Sequence, residues 1–463
     1  MLILLAIACG PPGPNGRPLA PLVQDTADMI EDPDLSRPEV PNLLLIVADD
    51  VGVDKIASYN VGDRSPPTPT LDGLIAEGIQ FDRAYANPVC SPTRSLLLTG
   101  RHGFRTGIGL AMQPQRDDFA LNYDEWTLPE LLDTLDVGYS HAALGKWHLG
   151  TWTYGGSLNP QGHGFGYHAG SMANFQAIHA VDGLPQSYYD WEKSVDGVLQ
   201  RTTVYATTDT TNDTIAQIEN LPEPWFLWVA YNAAHDPFHV PPEDLHGYVD
   251  PTTHYERYNA SLEALDTELG RLMDSVDLAT TTVIFIGDNG TPGDAVEPPL
   301  KSNQAKKTLF EGGIHVPLIV AGASVHAPGS RVQALVNATD IYATLGELAG
   351  ARADSEAMLA ATDSISFAPY LTDPNAESAR ETVYNERFDP VGFGPYDVYQ
   401  QAIRDKRFKL HRYLDGTDHL YDLEGVDLEG ADLLLEPLDA DAEEAYERLS
   451  TQLTAYVVPE SAN

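Results

Sequence analysis

Cysteine is almost absent from this chain. There are two in 463 residues, Cys9 and Cys90. No disulfide framework can hold such a fold, and Cys90 stands in the body of the chain without a covalent partner. Basic residues are scarce as well. Lys and Arg total 27 against 68 Asp and Glu, a formal net charge of −41. A field of that sign repels polyanions, which excludes nucleic acid and anionic membrane surfaces as partners. Only eight lysines occur, Lys55, Lys146, Lys193, Lys301, Lys306, Lys307, Lys406 and Lys409. Those beside glycine turns and strand ends are therefore conspicuous. Long apolar runs are missing too. Leu2 to Ala8 is too short to span a bilayer, and no later run is long enough. What is present is 43% hydrophobic residues, ample for a large core and, by length, two or three domains.

The chain opens "MLILLAIACGPPGPNG". It lacks the basic start of an ordinary export signal, and its short apolar run ends in small residues and a cysteine. That pattern resembles the tail of a bacterial lipoprotein signal with Cys9 as the lipid-bearing residue. The alternative is an irregular end with an incidental cysteine. On the lipoprotein reading the protein is exported to the bacterial periplasm or cell surface, and a lipidated Cys9 is its only expected membrane attachment. Residues 1–9 are then a signal remnant. Residues 10–40, rich in Pro, Asp and Gly with no apolar period, form a flexible tether.

Order is expected from "NLLLIVADDVG" onward, an apolar run ended by acids and Gly, as in a buried parallel strand. The same design recurs in "GYSHAALGKWHLG", "EPWFLWVAYNAAHDP", "TTVIFIGDNG" and "HVPLIVAG". Amphipathic stretches at 70–78, 128–135, 260–276 and 340–348 lie between them. The fold class is therefore α/β, with a large, mostly parallel central sheet flanked by helices. After about Gly350 the texture changes. "TVYNER", "QAIRDKRFKLHRYL" and "HLYDLEG" are short, alternating and Tyr-rich, which predicts a small antiparallel sheet, followed by an acidic helix near 442–457. The expected boundaries are 41–370 for the larger domain and 371–463 for a C-terminal α+β subdomain.

In open α/β sheets, ligands bind beyond the carboxyl ends of the strands. Four of the expected strands end in chemically useful groups: Asp49 and Asp50, Lys146 and His148, His235, and Asp288 with Asn289. Lys146 and His148, two apart, share a face if extended. Three carboxylates and an amide are hard oxygen donors that suit Ca²⁺ or Mg²⁺ rather than zinc. One such pair alone reads equally well as a helix cap. Two pairs, each ending an apolar strand, favour a metal. Lys306 opens "KKTLFEGG".

Cys90 lies in "NPVCSPTRSLLLTGR". Ser91 can cap a helix, Pro92 suits a first turn, and "TRSLLLTG" runs as a helix to Gly100. Cys90 then faces a helix N-terminus, where the dipole favours negative charge, with Arg94 four residues on and close to the same face. Read by themselves, these residues describe a metal site, an anion site and an unusual residue between them. A thiol nucleophile and an inert buried cysteine both remain open.

These blocks resemble the sulfatase family within the alkaline phosphatase-like superfamily. "CSPTRSLLLTGR" is similar to the highly specific family signature, Cys-x-Pro-x-Arg followed by an apolar run and Thr-Gly. "LIVADDVG", "LGKWHLG", "HDPFHVP", "GDNG" and "KKTLFEGG" follow the other family blocks in order, from roughly Pro41 to the C-terminus. The resemblance implies an alkaline phosphatase-like fold and a sulfuric ester hydrolase of arylsulfatase type. It implies that a maturation enzyme oxidises Cys90 to formylglycine (3-oxoalanine). One hydroxyl of the hydrated aldehyde would attack sulfur and the other would expel sulfate. It implies a divalent cation, usually Ca²⁺ with Mg²⁺ as the second choice, held by Asp49, Asp50, Asp288, Asn289 and the modified Cys90. Arg94 would steady the formylglycine, and His148 would hydrogen-bond its hydroxyl and assist release. Lys146, His235 and Lys306 would contact sulfate, and His235 or Lys306 would protonate the leaving oxygen. Lys306 is preferred over Lys307 because it lies five residues before Glu311, the family's spacing.

Two departures from the family pattern are His315, where Arg is usual, and His102–Gly103, where Tyr-Pro is common. Both lie outside the catalytic set and bear on substrate fit and packing. A phosphoesterase of the same superfamily is the nearest rival. Those enzymes generally use Thr or Ser and often two zinc ions, against which Cys90 and only four obvious metal ligands argue. A non-catalytic lipoprotein binding sulfated glycan is the other rival, and it would have lost the Cys or the ligands. The expected substrate is a small-molecule or glycan sulfate ester, aryl or by preference carbohydrate. Segments 151–189 and 290–304 are expected to shape the pocket rim.

Overall fold

The segment Asn42–Ala48 shows why the central sheet is covered on both sides. Leu43, Leu45 and Val47 enter one apolar cluster, together with Leu96–Leu98, Leu131, Leu132, Ile341 and Leu345. Leu44, Ile46 and Ala48 enter a second, with Leu71, Leu74, Leu262, Leu265 and Leu269. Alternate side chains of one strand thus feed opposite helical layers, and neither face can afford a polar residue. Burial of each of these leucines is worth roughly 1.5–3 kcal/mol.

The computed structural model describes residues 40–115, 117–175, 183–425 and 428–456. Cys9, the signal remnant and nearly all of the tether lie outside the described residues. Among the described residues the strands run in chain order β1 (Asn42–Ala48), β2 (Ile79–Phe81), β3 (Ala84–Tyr85), β4 (Ser140–Gly145), β5 (Tyr167–Gly170), β6 (Trp191–Val195), β7 (Val198–Thr202), β8 (Trp225–Ala230), β9 (Thr281–Gly287), β10 (Leu318–Gly322), β11 (Ser330–Val332), β12 (Val336–Asn337), β13 (Val383–Asp389), β14 (Val398–Arg404), β15 (Phe408–Tyr413) and β16 (Asp418–Asp422).

Ten of them form one sheet in the order β11-β2-β10-β9-β1-β8-β4-β5-β6-β7. The central run β9-β1-β8-β4-β5 is parallel throughout. The four strands expected to end in site residues are β9, β1, β8 and β4, which are immediate neighbours, so their carboxyl ends lie side by side. β10 forms where expected but pairs antiparallel to β9. Helices Pro69–Glu77, Leu128–Asp133 and Asp340–Leu348 fall close to their expected spans. The helix expected at 260–276 begins earlier, at His254, because Thr253 and Glu256 form a capping box there. The segment expected only as rim, 151–189, also contributes β5 to the sheet, and its residues 176–182 lie outside the described residues.

β13 to β16 form a separate antiparallel meander. The helix Ala440–Leu453 covers it, setting Ala442, Ala445, Leu449 and Leu453 against Ile403, Leu410 and Leu420. Two contacts join this small sheet to the turn before Cys90. Asn385 Nδ2 donates to the Ala86 carbonyl at 2.9 Å, and the Glu386 backbone N–H donates to Asn87 Oδ1 at 3.0 Å. Among the described residues no helix is long and apolar enough to cross a membrane.

Candidate active site

Cys90 is the first residue of the helix Cys90–Thr99, which ends at a left-handed Gly100. The cap differs from expectation. Val89 occupies the N-cap without a side-chain bond, while the Ser91 hydroxyl accepts from the Met112 N–H at 3.0 Å. Ser91 therefore anchors a neighbouring loop and leaves the helix end open. The Cys90 Sγ is 3.4 Å from Asp49 Oδ1 and 3.9 Å from Lys306 Nζ, with only 1% of the residue exposed.

The strand ends converge on that sulfur. Asp49 and Asp50 leave β1 in an abrupt turn, with Asp50 left-handed at φ 67°, a conformation that Asp tolerates better than most residues. The Asp50 N–H donates to Asp288 Oδ1 at 3.0 Å, which locks the ends of β1 and β9 together. Arg94 is buried beneath them. Its Nε and Nη2 donate to Asp288 Oδ2 at 3.2 and 2.8 Å, and its Nη1 donates to the Lys146 carbonyl at 2.8 Å. Lys146 Nζ is paired with Asp49 and Lys306 Nζ with Asp50. His235 Nε2 is 3.9 Å from Asp50 Oδ2, while its Nδ1 lies 2.7 Å from the Asp236 carbonyl and 3.0 Å from that carboxylate. After Lys146 the chain is no longer extended. His148 is left-handed at φ 64°, and its Nε2 hydrogen-bonds the Met112 carbonyl at 2.8 Å.

Burial and charge pull against each other here. Burial would raise the Asp49 carboxyl, but Lys146, His235, Arg94 and Lys306 together hold it far below its usual range. Asp288 goes the other way, to about 6, because burial and the Asp49 charge outweigh Arg94. Burial and Lys306 push His235 down, yet the Asp50 and Asp49 carboxylates lift it to about 10. Burial alone would lower Lys306, and Asp50, Cys90 and Asp49 instead raise it.

The residues fit a hard divalent cation. Ligand atoms of Asp49, Asp50, Cys90 and His235 all lie within 4.8 Å of one another. Asn289 Nδ2 donates to Asp50 Oδ1 at 2.8 Å, while its Oδ1 is buried with no hydrogen-bond partner among the described residues. A buried acceptor without a donor is costly unless something positive completes it. That oxygen, with the Asp49 and Asp50 carboxylates of the cluster, is the kind of hard donor Ca²⁺ or Mg²⁺ takes, whereas Asp288 lies outside the cluster, its oxygens accepting from the Asp50 N–H and from Arg94. His235 belongs to the cluster by distance.

Several supporting residues escaped the sequence reading. Thr291 Oγ1 accepts from the Gly52 N–H at 3.2 Å and donates to Asp54 Oδ1 at 2.7 Å, and Lys55 is buried against Glu297 and Asn259 at 3.0 Å. This clasp ties the loop after β1 to the loop after β9. Lys55, one of so few lysines in "DDVGVDK", was its available signal. Glu311, five residues past Lys306, is gripped by Lys409 at 2.9 Å and Arg404 at 3.1 Å, which anchors the Lys306 loop on the small sheet. Of the two departures from the family pattern, His315 stacks on Tyr85 with centroids 5.0 Å apart, a packing role. Gly103 is required sterically, since a Cβ there would meet the Ile108 carbonyl oxygen at 2.4 Å. Lys307 lines a separate cavity.

The fold and the site together define an α/β protein with buried carboxylates and cations gathered around one cysteine at the carboxyl edge of its parallel sheet. The sequence matches the Sulfatase family model over residues 41–351, and the chain belongs to that family. It is 29% identical to mouse (Mus musculus) arylsulfatase J over 80% of this chain, and 32% identical to pig (Sus scrofa) N-acetylgalactosamine-6-sulfatase over 69%. It spans 64% of the length of each. Its fold is similar to the crystal structure of Ps i-CgsB in complex with k-i-k-neocarrahexaose, with a TM-score of 0.73, 24% identity, and 91% of this chain and 94% of that one covered.

Proposed function

We propose that the protein hydrolyses sulfate esters, of carbohydrates by preference, to an alcohol and inorganic sulfate. The observation that carries this reading is the position of Cys90 at a helix N-terminus, 3.4 Å from Asp49 and 3.9 Å from Lys306. Two of the similar proteins support the carbohydrate class, one named for N-acetylgalactosamine 6-sulfate and one crystallised with a neocarrahexaose.

The matured aldehyde at position 90 and a divalent cation on Asp49, Asp50, Asp288 and Asn289 would supply a nucleophile with its own exit and a counter-charge for sulfate. The chain's own residues do the rest. Arg94, held by Asp288 and the Lys146 carbonyl, fixes position 90 and adds positive charge beneath it. Lys146 and Lys306 sit on Asp49 and Asp50 and reach sulfate oxygens from there. His148, its Nε2 engaged with Met112, keeps Nδ1 as the proton-accepting nitrogen for release. His235, its Nδ1 side held by Asp236, keeps Nε2–H to protonate the leaving oxygen.

The test is sulfate release by purified protein from 4-nitrophenyl sulfate and defined sugar sulfates, with peptide mass spectrometry and hydrazide capture at position 90. Active protein should carry the aldehyde, and Cys90→Ala should remove turnover with the fold intact. Full activity from protein holding only an unmodified thiol would end this mechanism.

A further inference from the structure

Beside the site lies a small cavity that the reaction does not use. Its volume is about 110 Å³, and Lys307, Arg387, Gln400, Arg412 and Tyr413 are among its lining residues. At ~30 Å³ per water, that is room for about three or four waters, or one oxyanion group. Its walls come from two units. The Lys306–Phe310 loop supplies one side. The small antiparallel sheet supplies the other, where Arg387 on β13 lies opposite Gln400 on β14, which in turn lies opposite Tyr413 on β15. Cross-strand partners project from the same face, so these three form one row aimed at the loop.

The charge of this cavity is unusual for the chain. Across a protein of net charge −41, most described Arg and Lys residues are neutralised by carboxylates. Lys307 and Arg387 have no carboxylate partner among the described residues. The hydrogen bond found for Arg387 runs from Nη1 to the Lys307 carbonyl at 3.3 Å, and its Nε is buried without a partner. Arg412 is bound to Asp418 at 2.7 Å and adds less. None of the lining residues is acidic. A buried guanidinium N–H with no acceptor, next to an unpaired ammonium, asks for an oxyanion.

Its location ties it to the substrate. Lys307 follows Lys306, whose Nζ is 3.9 Å from Cys90 Sγ, and the Lys307 N–H donates to the Pro88 carbonyl at 2.9 Å, in the turn leading into Cys90. We propose that this cavity is a second oxyanion subsite, which takes another sulfate or carboxylate of the sugar chain whose sulfate ester lies at Cys90. Arg387 provides the directional contact, while Lys307, which is exposed, provides screened charge. The proposal rests on the sulfate-ester reading and adds that the substrate is polyanionic.

The test compares wild-type protein with Arg387→Gln and Lys307→Gln on four probes: 4-nitrophenyl sulfate, a hexosamine monosulfate, a hexosamine disulfate, and a monosulfated disaccharide containing a uronate. Wild type should favour one of the two polyanionic probes, and which one identifies the second group as sulfate or carboxylate. Arg387→Gln should raise KM for that probe about tenfold or more, the size of one charge-assisted hydrogen bond. It should leave 4-nitrophenyl sulfate and the monosulfate within about twofold, while Lys307→Gln shows the same pattern more weakly. Calorimetric binding of the polyanionic probes to Cys90→Ala, with and without Arg387→Gln, reads the subsite independently of turnover. Equal losses on all four probes, or affinities indifferent to Arg387, overturn the subsite. Absence of turnover with Arg387-dependent binding overturns the hydrolase reading alone.

Discussion

Glu386 offers a test of the packing beside the turn that leads into Cys90, and it needs no substrate. It is fully buried on β13. Its Oε1 accepts from the Phe104 N–H at 2.8 Å, and its Oε2 accepts from the Tyr384 and Tyr399 hydroxyls at 3.0 and 3.3 Å. No cation is paired with it among the described residues, and burial outweighs these bonds, pushing its carboxyl from 4.5 up to about 7. Below pH 4.5 both folded and unfolded chains are protonated and this group is neutral in the balance. Between 4.5 and 7 the unfolded chain gives up the proton while the folded one keeps it, so stability falls as pH rises, then levels off. At 1.36 kcal/mol per pH unit the full loss is about 3 kcal/mol. Glu386→Gln removes it, and the two tyrosine hydroxyls can turn to accept from the new amide. With an unfolding entropy of about 2.1 cal/mol/K per residue in a chain of this size, 3 kcal/mol corresponds to about 3 °C. Melting curves of both proteins at pH 5 and pH 8.5 provide the measurement. The variant should gain about 3 °C on wild type between those two conditions. A difference that does not change with pH refutes the assignment of a raised carboxyl at this position.

The proposed acid is separable from the proposed binding groups. His235→Ala and Lys306→Ala should cost kcat/KM far more on a sugar sulfate than on 4-nitrophenyl sulfate, by up to the 10²–10⁴-fold range of general-acid catalysis, because nitrophenolate leaves without a proton. Arg94→Ala should harm both alike, and equal losses for His235 and Lys306 would show that neither is the acid. Ca²⁺ or Mg²⁺ should raise the melting temperature of chelator-treated protein, by about 2.7 kcal/mol of stability at a hundredfold excess over Kd, and Asp288→Ala should weaken the response. A response to Zn²⁺ alone would point to the phosphoesterase chemistry instead.

The centre of the fold was legible because its strands are buried on both faces and end in charge. β1, β4, β8 and β9 announce themselves as apolar runs stopped by Asp, Lys, His or Asn. β5 and β6 did not, since Tyr167–Gly170 and Trp191–Val195 are short and mixed in polarity, as suits the side of a sheet where pairing turns antiparallel. The direction of β10 was not readable either, because hydrophobic pattern carries no sign. At the site, the residue types and their strand-end placement were visible. Their mutual neutralisation was not, since it depends on contacts such as Arg94 with Asp288, 194 positions apart. The Thr291–Asp54 clasp was hidden for the same reason, each residue alone looking like ordinary loop polarity.

The bonds from Asn385 and Glu386 to the turn before Cys90 join residues 299 positions apart. Ribosomes add about 5–20 residues per second, so the turn waits on the order of 15–60 s after its own synthesis before its last support exists. During that interval the thiol of Cys90 belongs to an unfinished chain, and afterwards it is 1% exposed. The architecture therefore works as a clock. It sets how long any agent that must handle this cysteine has to reach it.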